Sequence, residues 1–228
     1  MTTNLASLEE VRQKSIAFSS LVFPDSIDCV RYNIFLPNGE IINLSSRDDI
    51  LKTFEHILKE KDTFTYEHSI RVTDISIQLG EQFGINHLEE KMLFNAALMH
   101  DVGKLMIPDS ILIKPGNLTK DEWNVIYRHP VASEVIVGQI PSLTGILPAI
   151  RHHHERYDGK GYPDKLKGKK IPFHARIIAL ADAFDAMTTK RPYRNAMSFQ
   201  QALHIISEES GKQFDPFVVK AFLNITHR

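Results

Sequence analysis

The feature that most constrains the fold is a nearly unbroken series of helical apolar patterns from about residue 47 to the end of the chain. Residues 47–61 carry apolar side chains at 50, 51, 54, 57 and 58, the spacing of one helix face. Comparable patterns cover 68–84, 88–104, 118–130, 131–140, 143–155, 175–189, 198–210 and 216–225. The sequence therefore predicts a mainly α protein built as a helical bundle.

The first 49 residues differ from the rest of the chain. Residues 5–21 have apolar side chains at roughly helical spacing. Residues 29–45 predict two short strands around the turn Pro-Asn-Gly-Glu, because Asn-Gly is a strong hairpin signal. We therefore expect a small N-terminal region, 1–49, with one helix and a β-hairpin, followed by a second domain over 50–228. The role of the first region is not apparent from its residues.

Composition excludes several classes of protein. The formal net charge of −1 gives no general attraction to polymeric nucleic acid. A single cysteine, Cys29, excludes an internal disulfide and a cysteine metal cluster, as is common in the cytosol. The N-terminus lacks a signal-peptide pattern, and no apolar run of about 18 residues predicts a membrane span. We therefore expect a cytoplasmic protein without a membrane span.

The chain has 11 histidines, and several lie beside acidic residues at the predicted ends of helices. His100 and Asp101 follow the apolar run 94–99, where a buried polar pair needs partners. A metal ion is one such partner, and a salt bridge to Lys104 is the other. Further imidazoles and carboxylates are His68 at a helix start, His129, His153 and His154 at helix ends, and Asp182 within an apolar helix. Such ligands without thiolate suit Fe, Mn, Zn, Ni or Co.

These residues fall within an ordered set of motifs that resembles one known family, the HD-GYP domain. The motifs are HS-RV at 68–72, AALMHDVGK at 96–104, IPDSILIKPGNLT at 107–119, RHP at 128–130, HHERYDGKGYP at 153–163, IPFHARIIALADAFDAMT at 171–188, RPYR at 191–194 and GKQFDPFVV at 211–219. The resemblance covers about residues 50–228 in unbroken order. HD-GYP domains are helical members of the HD phosphohydrolase superfamily that hydrolyse cyclic di-GMP with clustered metal ions, commonly iron or manganese.

The resemblance implies specific roles for the clustered residues. One ion would be held by His68, His100, Asp101 and Asp182, and a second by Asp101, His129, His153 and His154. Asp101 would bridge the ions, and a hydroxide between them would attack phosphorus. Lys104 would neutralise charge on the phosphate, and Asp185 would orient a group or transfer a proton.

One position departs from the family pattern. Members with three metals carry a glutamate four residues before the first histidine, and this chain has Phe64 there. Glu67 is adjacent to His68 but has the wrong helical phase to replace that glutamate. The resemblance therefore implies two metal ions, and linear pGpG as the main product.

The loop after the histidines predicts substrate contacts. Gly161, Tyr162 and Pro163 are the GYP signature, in which glycine allows close approach of a ligand. Residues 151–176 hold eight Lys or Arg and three acids, which favours a phosphate-bearing substrate over a merely solvated face. Lys104, Arg191 and Arg194 are candidate phosphate ligands. Tyr162 would stack on guanine or pack internally, and His152 is expected to be solvated or to lie beside the ligands.

Three alternatives compete with the cyclic di-GMP phosphodiesterase. The first is a non-catalytic or slow receptor that binds cyclic di-GMP and signals by contact. The second is a hydrolase of another cyclic dinucleotide, such as cyclic GMP-AMP. The third is a purely structural helical protein with solvated histidines. Signalling proteins such as diguanylate cyclase domains, and a second copy of the chain, are the expected protein partners.

Overall fold

A computed structural model of the chain describes residues 32–35, 41–44, 63–190 and 196–226. Most of these residues are helical, which confirms the mainly α prediction. The α-helices are α1 (Thr63–Gln82), α2 (His87–Met99), α3 (Asp109–Leu112), α4 (Lys120–Ile126), α5 (His129–Val137), α6 (Leu147–Arg151), α7 (Phe173–Thr188), α8 (Phe199–Glu208) and α9 (Pro216–Thr226). Short 3-10 helices span Val102–Met106, Pro141–Ile146 and Gly168–Lys170.

Two short strands precede the helices. β1 (Tyr32–Phe35) pairs antiparallel with β2 (Ile41–Leu44), so that Tyr32 lies opposite Leu44 and Phe35 lies opposite Ile41. This confirms the hairpin predicted within 29–45. The helix predicted over 5–21, the helical pattern at 47–61 and the domain boundary at 49/50 lie outside the described residues.

The core is formed where five helices meet. Helix α1 packs against α2 and α7, and α6 packs against α2, α5 and α7. Each of the five contributes at least one almost wholly buried aliphatic side chain, namely Leu79, Leu93, Ile136, Ile150 and Ile177. Their burial supplies most of the driving force for assembly, at about 1.5–3 kcal/mol for each such side chain. None of the helices in the described ranges has both the length and the apolar character that a membrane crossing needs.

Helix boundaries differ from the prediction at four of the candidate ligands. His68 lies in the second turn of α1 and not at its start, because α1 already begins at Thr63. His129 is the first residue of α5 and not the last of the preceding helix. Pro130 is tolerated there because the first turn of a helix needs no partner for its backbone N–H. His153 and His154 lie in the turn that follows α6.

Candidate metal centre

Candidate ligands from five segments of the chain meet at one end of the core. They come from inside α1 and α7, from the residues after α2 and α6, and from the start of α5. The seven residues are His68, His100, Asp101, His129, His153, His154 and Asp182. The structure thus brings together every residue that the sequence predicted as a metal ligand.

Asp101 lies at the centre of this cluster. Its Oδ2 atom is 3.3 Å from Nε2 of His100 and 3.9 Å from Nε2 of His68. Its Oδ1 atom is 3.1 Å from Nε2 of His129. This carboxylate belongs to two groups of ligand atoms, and within each group the atoms lie within 4.8 Å of one another. One group contains His68 and His100, and the other contains His129, His153 and His154. One carboxylate therefore faces two sets of imidazoles.

Asp182 lies between the two sets and does not belong to one alone. Its Oδ1 atom is 3.1 Å from Nε2 of His68, and its Oδ2 atom is 3.9 Å from Nδ1 of His154. The sequence analysis assigned Asp182 only to the set with His68. The geometry places a second carboxylate, besides that of Asp101, between the two sets of imidazoles.

Backbone carbonyls set the orientation of three imidazoles. The Nδ1 atoms of His100, His129 and His153 lie 2.6, 2.8 and 2.6 Å from the carbonyl oxygens three residues earlier. Because a carbonyl oxygen can only accept, each Nδ1 must carry the proton and donate. The Nε2 lone pairs are then free to bind a cation, which is how metal-binding histidines are usually held.

A serine joins the residues after α2 to helix α5. Oγ of Ser133 donates to the carbonyl of His100 at 2.8 Å and accepts from the backbone N–H of Gly103 at 2.7 Å. A Cβ atom on Gly103 would lie 2.1 Å from the carbonyl oxygen of His129 and 2.5 Å from the backbone nitrogen of Ser133. Only glycine allows this close approach, which holds Asp101 against His129.

The buried atoms of the centre fit a cation. Among the residues described, Nε2 of His100 and Oδ1 of Asp101 are buried and accept no hydrogen bond. Unpaired buried polar atoms are costly, and a carboxylate is more costly than an imidazole. A divalent ion would satisfy both atoms, and the set of imidazole and carboxylate donors suits iron, manganese, zinc, nickel or cobalt.

The electrostatic environment favours the protonation states that bind metals. Burial and the neighbouring His154 lower the pKa of His153 well below its usual range. Burial also lowers the pKa of His154 to about 3, against the opposite influence of Asp182. Burial would raise the pKa of Asp101, but Lys104 and His100 hold it well below the usual range. Near pH 7 these imidazoles are neutral and this carboxylate is ionised, as ligands must be.

His68 has the opposite tendency. Burial would lower its pKa, but the carboxylates of Asp182 and Asp185 raise it to about 9. The negative charge that stabilises a proton on His68 would also attract a metal ion. The proton and the metal ion therefore compete for this imidazole.

Lys104 and Asp185, predicted as catalytic, adjoin the cluster in different ways. Lys104 Nζ lies 2.5 Å from Oδ2 of Asp101, so the salt bridge expected from the sequence is present together with the imidazole cluster. Asp185 is buried behind His68 and accepts from its Nδ1 at 2.6 Å. Arg71 donates to both oxygens of Asp185, at 2.5 and 3.2 Å. Asp185 therefore contacts a ligand and not the centre itself.

Two residues of this arrangement were missed by the sequence analysis. Arg71 lies three residues after His68, and that helical spacing places both on one face of α1. The spacing was the available signal. No sequence signal marked Ser133, because its role depends on the packing of α5 against residues 102–106.

The GYP loop closes over the second set of imidazoles. The Tyr162 ring stacks on His154 with centroids 4.9 Å apart, so in this structure it packs internally. A Cβ atom on Gly161 would lie 2.3 Å from the backbone nitrogen of Arg156 and 2.6 Å from the carbonyl oxygen of His154. Gly161 therefore serves the close packing of this loop. Pro163 follows in the same loop, whereas Arg191 and Arg194 lie outside the described residues.

The basic character of residues 151–176 is partly structural. Arg151 pairs with Asp164 and Glu134, Arg156 pairs with Asp158 and Glu209, and Arg176 pairs with Asp215. The lysines at 160, 165, 167, 169 and 170 are exposed. Three of the eight cations attributed to substrate binding are thus engaged in ion pairs within the protein.

His152 lies beside the ligands, one of the two placements expected from the sequence, and outside the central cluster. Its Nε2 atom is 2.9 Å from Oδ2 of Asp164, and its Nδ1 atom is 2.8 Å from the carbonyl oxygen of Pro148. The three consecutive histidines therefore divide into one that holds the loop and two that face the centre.

The chain is similar to one family of known proteins over most of its length. A family model described as an HD domain matches residues 52–218. A cyclic di-GMP phosphodiesterase response regulator of Xanthomonas campestris is 42% identical over 178 residues, which covers 77% of this chain and 47% of the relative. A 3'3'-cGAMP-specific phosphodiesterase of Vibrio cholerae is 38% identical over 154 residues, which covers 68% of this chain and 36% of the relative. The chain spans about half or less of the length of these relatives.

A solved structure shares the architecture. A cyclic GMP-AMP-specific phosphodiesterase of Vibrio cholerae has a TM-score of 0.62 and 19% identity, covering 87% of this chain and 50% of that one. This likeness shows a common helical fold.

Proposed function

Because this chain belongs to the HD domain family, as an HD-GYP member, we propose that it is a metal-dependent phosphodiesterase that hydrolyses cyclic di-GMP, mainly to linear pGpG. The observation that carries this proposal is the position of Asp101. One of its oxygens faces His100 at 3.3 Å, and the other faces His129 at 3.1 Å. A carboxylate so placed suits a bridge between two ions, and two-metal sites suit displacement at phosphorus.

The proposed centre holds two divalent ions, iron or manganese. The ligands would be His68, His100, Asp101 and Asp182 for one ion, and Asp101, His129, His153 and His154 for the other. Asp182 also lies near enough to His154 to contribute to the second position. When bound, such ions lower the pKa of a water molecule and neutralise charge on a phosphate.

The chain's own residues orient these groups and the substrate. Lys104 is partly exposed while its Nζ contacts Asp101, so it can reach a non-bridging phosphate oxygen beside the centre. It would neutralise the charge that develops there. Asp185 is proposed as a positioning residue: it keeps the Nδ1 proton of His68 occupied and directs Nε2 towards the metal.

The preference for pGpG rests on position 64. Phe64 lies one turn before His68 in α1, where three-metal members carry glutamate. Glu67 is exposed while His68 is buried, so its side chain points away from the centre. The described residues therefore offer no carboxylate at this position for a third ion.

Hydrolysis of cyclic GMP-AMP is a second candidate function. The observation that favours it is the 38% identity to a 3'3'-cGAMP-specific phosphodiesterase. The metal chemistry would be the same, and only contacts to the bases would differ. A slow or non-catalytic cyclic di-GMP receptor is the remaining alternative.

The metal content of protein purified under low oxygen, with turnover measured on the same sample, tests the proposal. We expect close to two equivalents of iron or manganese, and pGpG accumulating from cyclic di-GMP. A panel with cyclic GMP-AMP and cyclic di-AMP compares substrates by kcat/KM. Full metal loading with binding but no turnover would favour the receptor. Absence of metal after reconstitution would contradict the site.

Replacing Asp185 with alanine should weaken metal binding without removing a ligand. The His68 ring would lose its Nδ1 partner, and changes of this kind reduce metal affinity or activity about 10–100-fold. We expect turnover at low Mn²⁺ to fall by that factor and to recover as Mn²⁺ is raised. Asp185→Asn keeps an oxygen acceptor, so its turnover at low Mn²⁺ should fall by a smaller factor. A loss that excess metal does not restore would contradict a positioning role.

A further inference from the structure

Four aromatic rings form a continuous series from the surface to the metal centre. Trp123 stacks on Tyr127, with centroids 5.6 Å apart and ring planes 27° apart. Tyr127 contacts Tyr162 at 4.7 Å, and Tyr162 stacks on His154 at 4.9 Å. The inner end of the series is a candidate metal ligand. At the outer end, Trp123 and Tyr127 are each 44% exposed.

Helix α4 is held by polar contacts in addition to those of its aromatic rings. Helix α4 has no buried residue. It is secured by the Thr119–Glu122 capping box and by Lys114, whose Nζ lies 2.8 Å from Glu122. Trp123 and Tyr127, four residues apart, share one face of this helix. An exposed pair of large aromatic rings in a helix that polar contacts also hold is typical of a binding surface.

We infer that Trp123 and Tyr127 form a stacking surface for one purine base of the cyclic dinucleotide, an inference that rests on the proposed function. Tyr127 is two residues before His129, and the backbone carbonyl of Ile126, the residue before Tyr127, accepts the Nδ1 proton of that histidine. The aromatic face and the ligand are thus held by the same short stretch of backbone. A phosphate at the centre places its attached nucleoside within reach of the adjoining rings.

Stacking of this kind recognises the flat face of a base and not its edge. It is worth about 1–3 kcal/mol per base and tolerates any base. The surface would therefore increase affinity for guanine and adenine alike, and discrimination between cyclic di-GMP and cyclic GMP-AMP would fall to other contacts. The occupant is a purine because its larger ring covers more of the indole and phenol faces.

The test uses the indole itself, because Trp123 is the only tryptophan of the chain. Metal-loaded full-length protein is titrated with a phosphorothioate analogue of cyclic di-GMP that resists hydrolysis, and tryptophan emission is recorded. We expect saturable quenching whose midpoint equals the inhibition constant of the analogue against turnover. Inorganic phosphate, which has no base, should leave the emission unchanged.

Kinetics of variants provide a second measurement. Trp123→Ala and Tyr127→Ala should each raise KM about 5- to 150-fold, the equivalent of one stacked base, with kcat unchanged. Trp123→Phe retains an aromatic ring, so its KM should be close to that of the parent protein. Phe217→Ala, which removes a 62% exposed aromatic ring from α9, is the matched control and should leave KM unchanged. Thermal unfolding of each variant verifies that it is folded.

The outcomes separate this inference from the proposed function. Quenching by the analogue together with raised KM supports the stacking surface. If Trp123→Ala turns over the substrate with an unchanged KM, and the emission of the parent protein stays constant on titration, the stacking surface is wrong. The proposed phosphodiesterase activity is not affected by that result. Quenching without turnover of any cyclic dinucleotide supports the surface and contradicts the phosphodiesterase. Quenching that inorganic phosphate reproduces would also overturn the inference, because the base would then have no part in it.

Discussion

Asp101→Asn is expected to empty both metal positions and to reduce turnover of cyclic di-GMP by at least about 10³-fold, beyond the 10–100-fold typical of residues that only support a ligand. The reason is that both ligand sets share this carboxylate. The amide keeps the shape of the side chain but lacks the negative charge that would offset two cations. Metal content by elemental analysis and kcat/KM measured with added Mn²⁺ provide the readout.

The matched control is Asp109→Asn, an exposed carboxyl at the start of α3, which should retain metal and activity. Thermal unfolding distinguishes loss of the ions from loss of the fold. If Asp101→Asn retained two equivalents of metal and more than about a tenth of the activity, the bridging role would be wrong, since substitutions that only support a ligand already cost that much.

Gly103→Ala is expected to destabilise the protein by about 3 kcal/mol, at the upper end of what overpacking costs. Its methyl group would overlap the backbone of His129 and Ser133, and backbone cannot swing aside as a flexible side chain can. For a protein of this size the melting temperature should fall by roughly 6–12 °C. Activity should fall as well, because the same displacement separates Asp101 from His129. Thermal unfolding by circular dichroism and activity at low temperature measure the two effects.

Gly145→Ala offers a comparison at another glycine. There, the nearest atom to the added methyl is Cε of Met92 at 3.2 Å, the far end of a flexible side chain, and little change is expected. Equal melting temperatures for Gly103→Ala and the parent would show that α5 can move away from residues 102–106 at little cost. The close approach would then not be what holds Asp101 against His129.

Helix content could be predicted from sequence because it depends on local periodicity and capping. The Thr119–Glu122 capping box, for example, is a local signal for a helix start, and it is present at the start of α4. Helix boundaries near the ligands were less predictable. His129 follows a run that is helical in pattern, and Pro130 suits a helix start as well as a helix end, so local signals alone assigned it to the wrong helix.

The roles of the charged residues were also only partly predictable from the sequence. Counting charges over 151–176 indicated a basic surface, but Arg151 and Arg176 pair with acids 13 and 39 residues away. Asp185 was predicted to act in catalysis, and in the structure it contacts His68 and forms a partly buried ion pair with Arg71. In both cases the partner is distant in sequence or unmarked by any pattern.

The sequence by itself determined the class of fold, the identity of the seven candidate ligands and the ordered motifs that mark the family, because each depends on residue types at short spacings. Only the tertiary structure decided which oxygen of Asp101 faces which imidazole, that Asp182 lies between both sets and that aromatic rings lead from α4 to the centre. Relations of this kind join residues that are far apart in the sequence, and His68 and Asp185, for example, are 117 positions apart. They exist only once burial of the shared apolar core has brought the helices together.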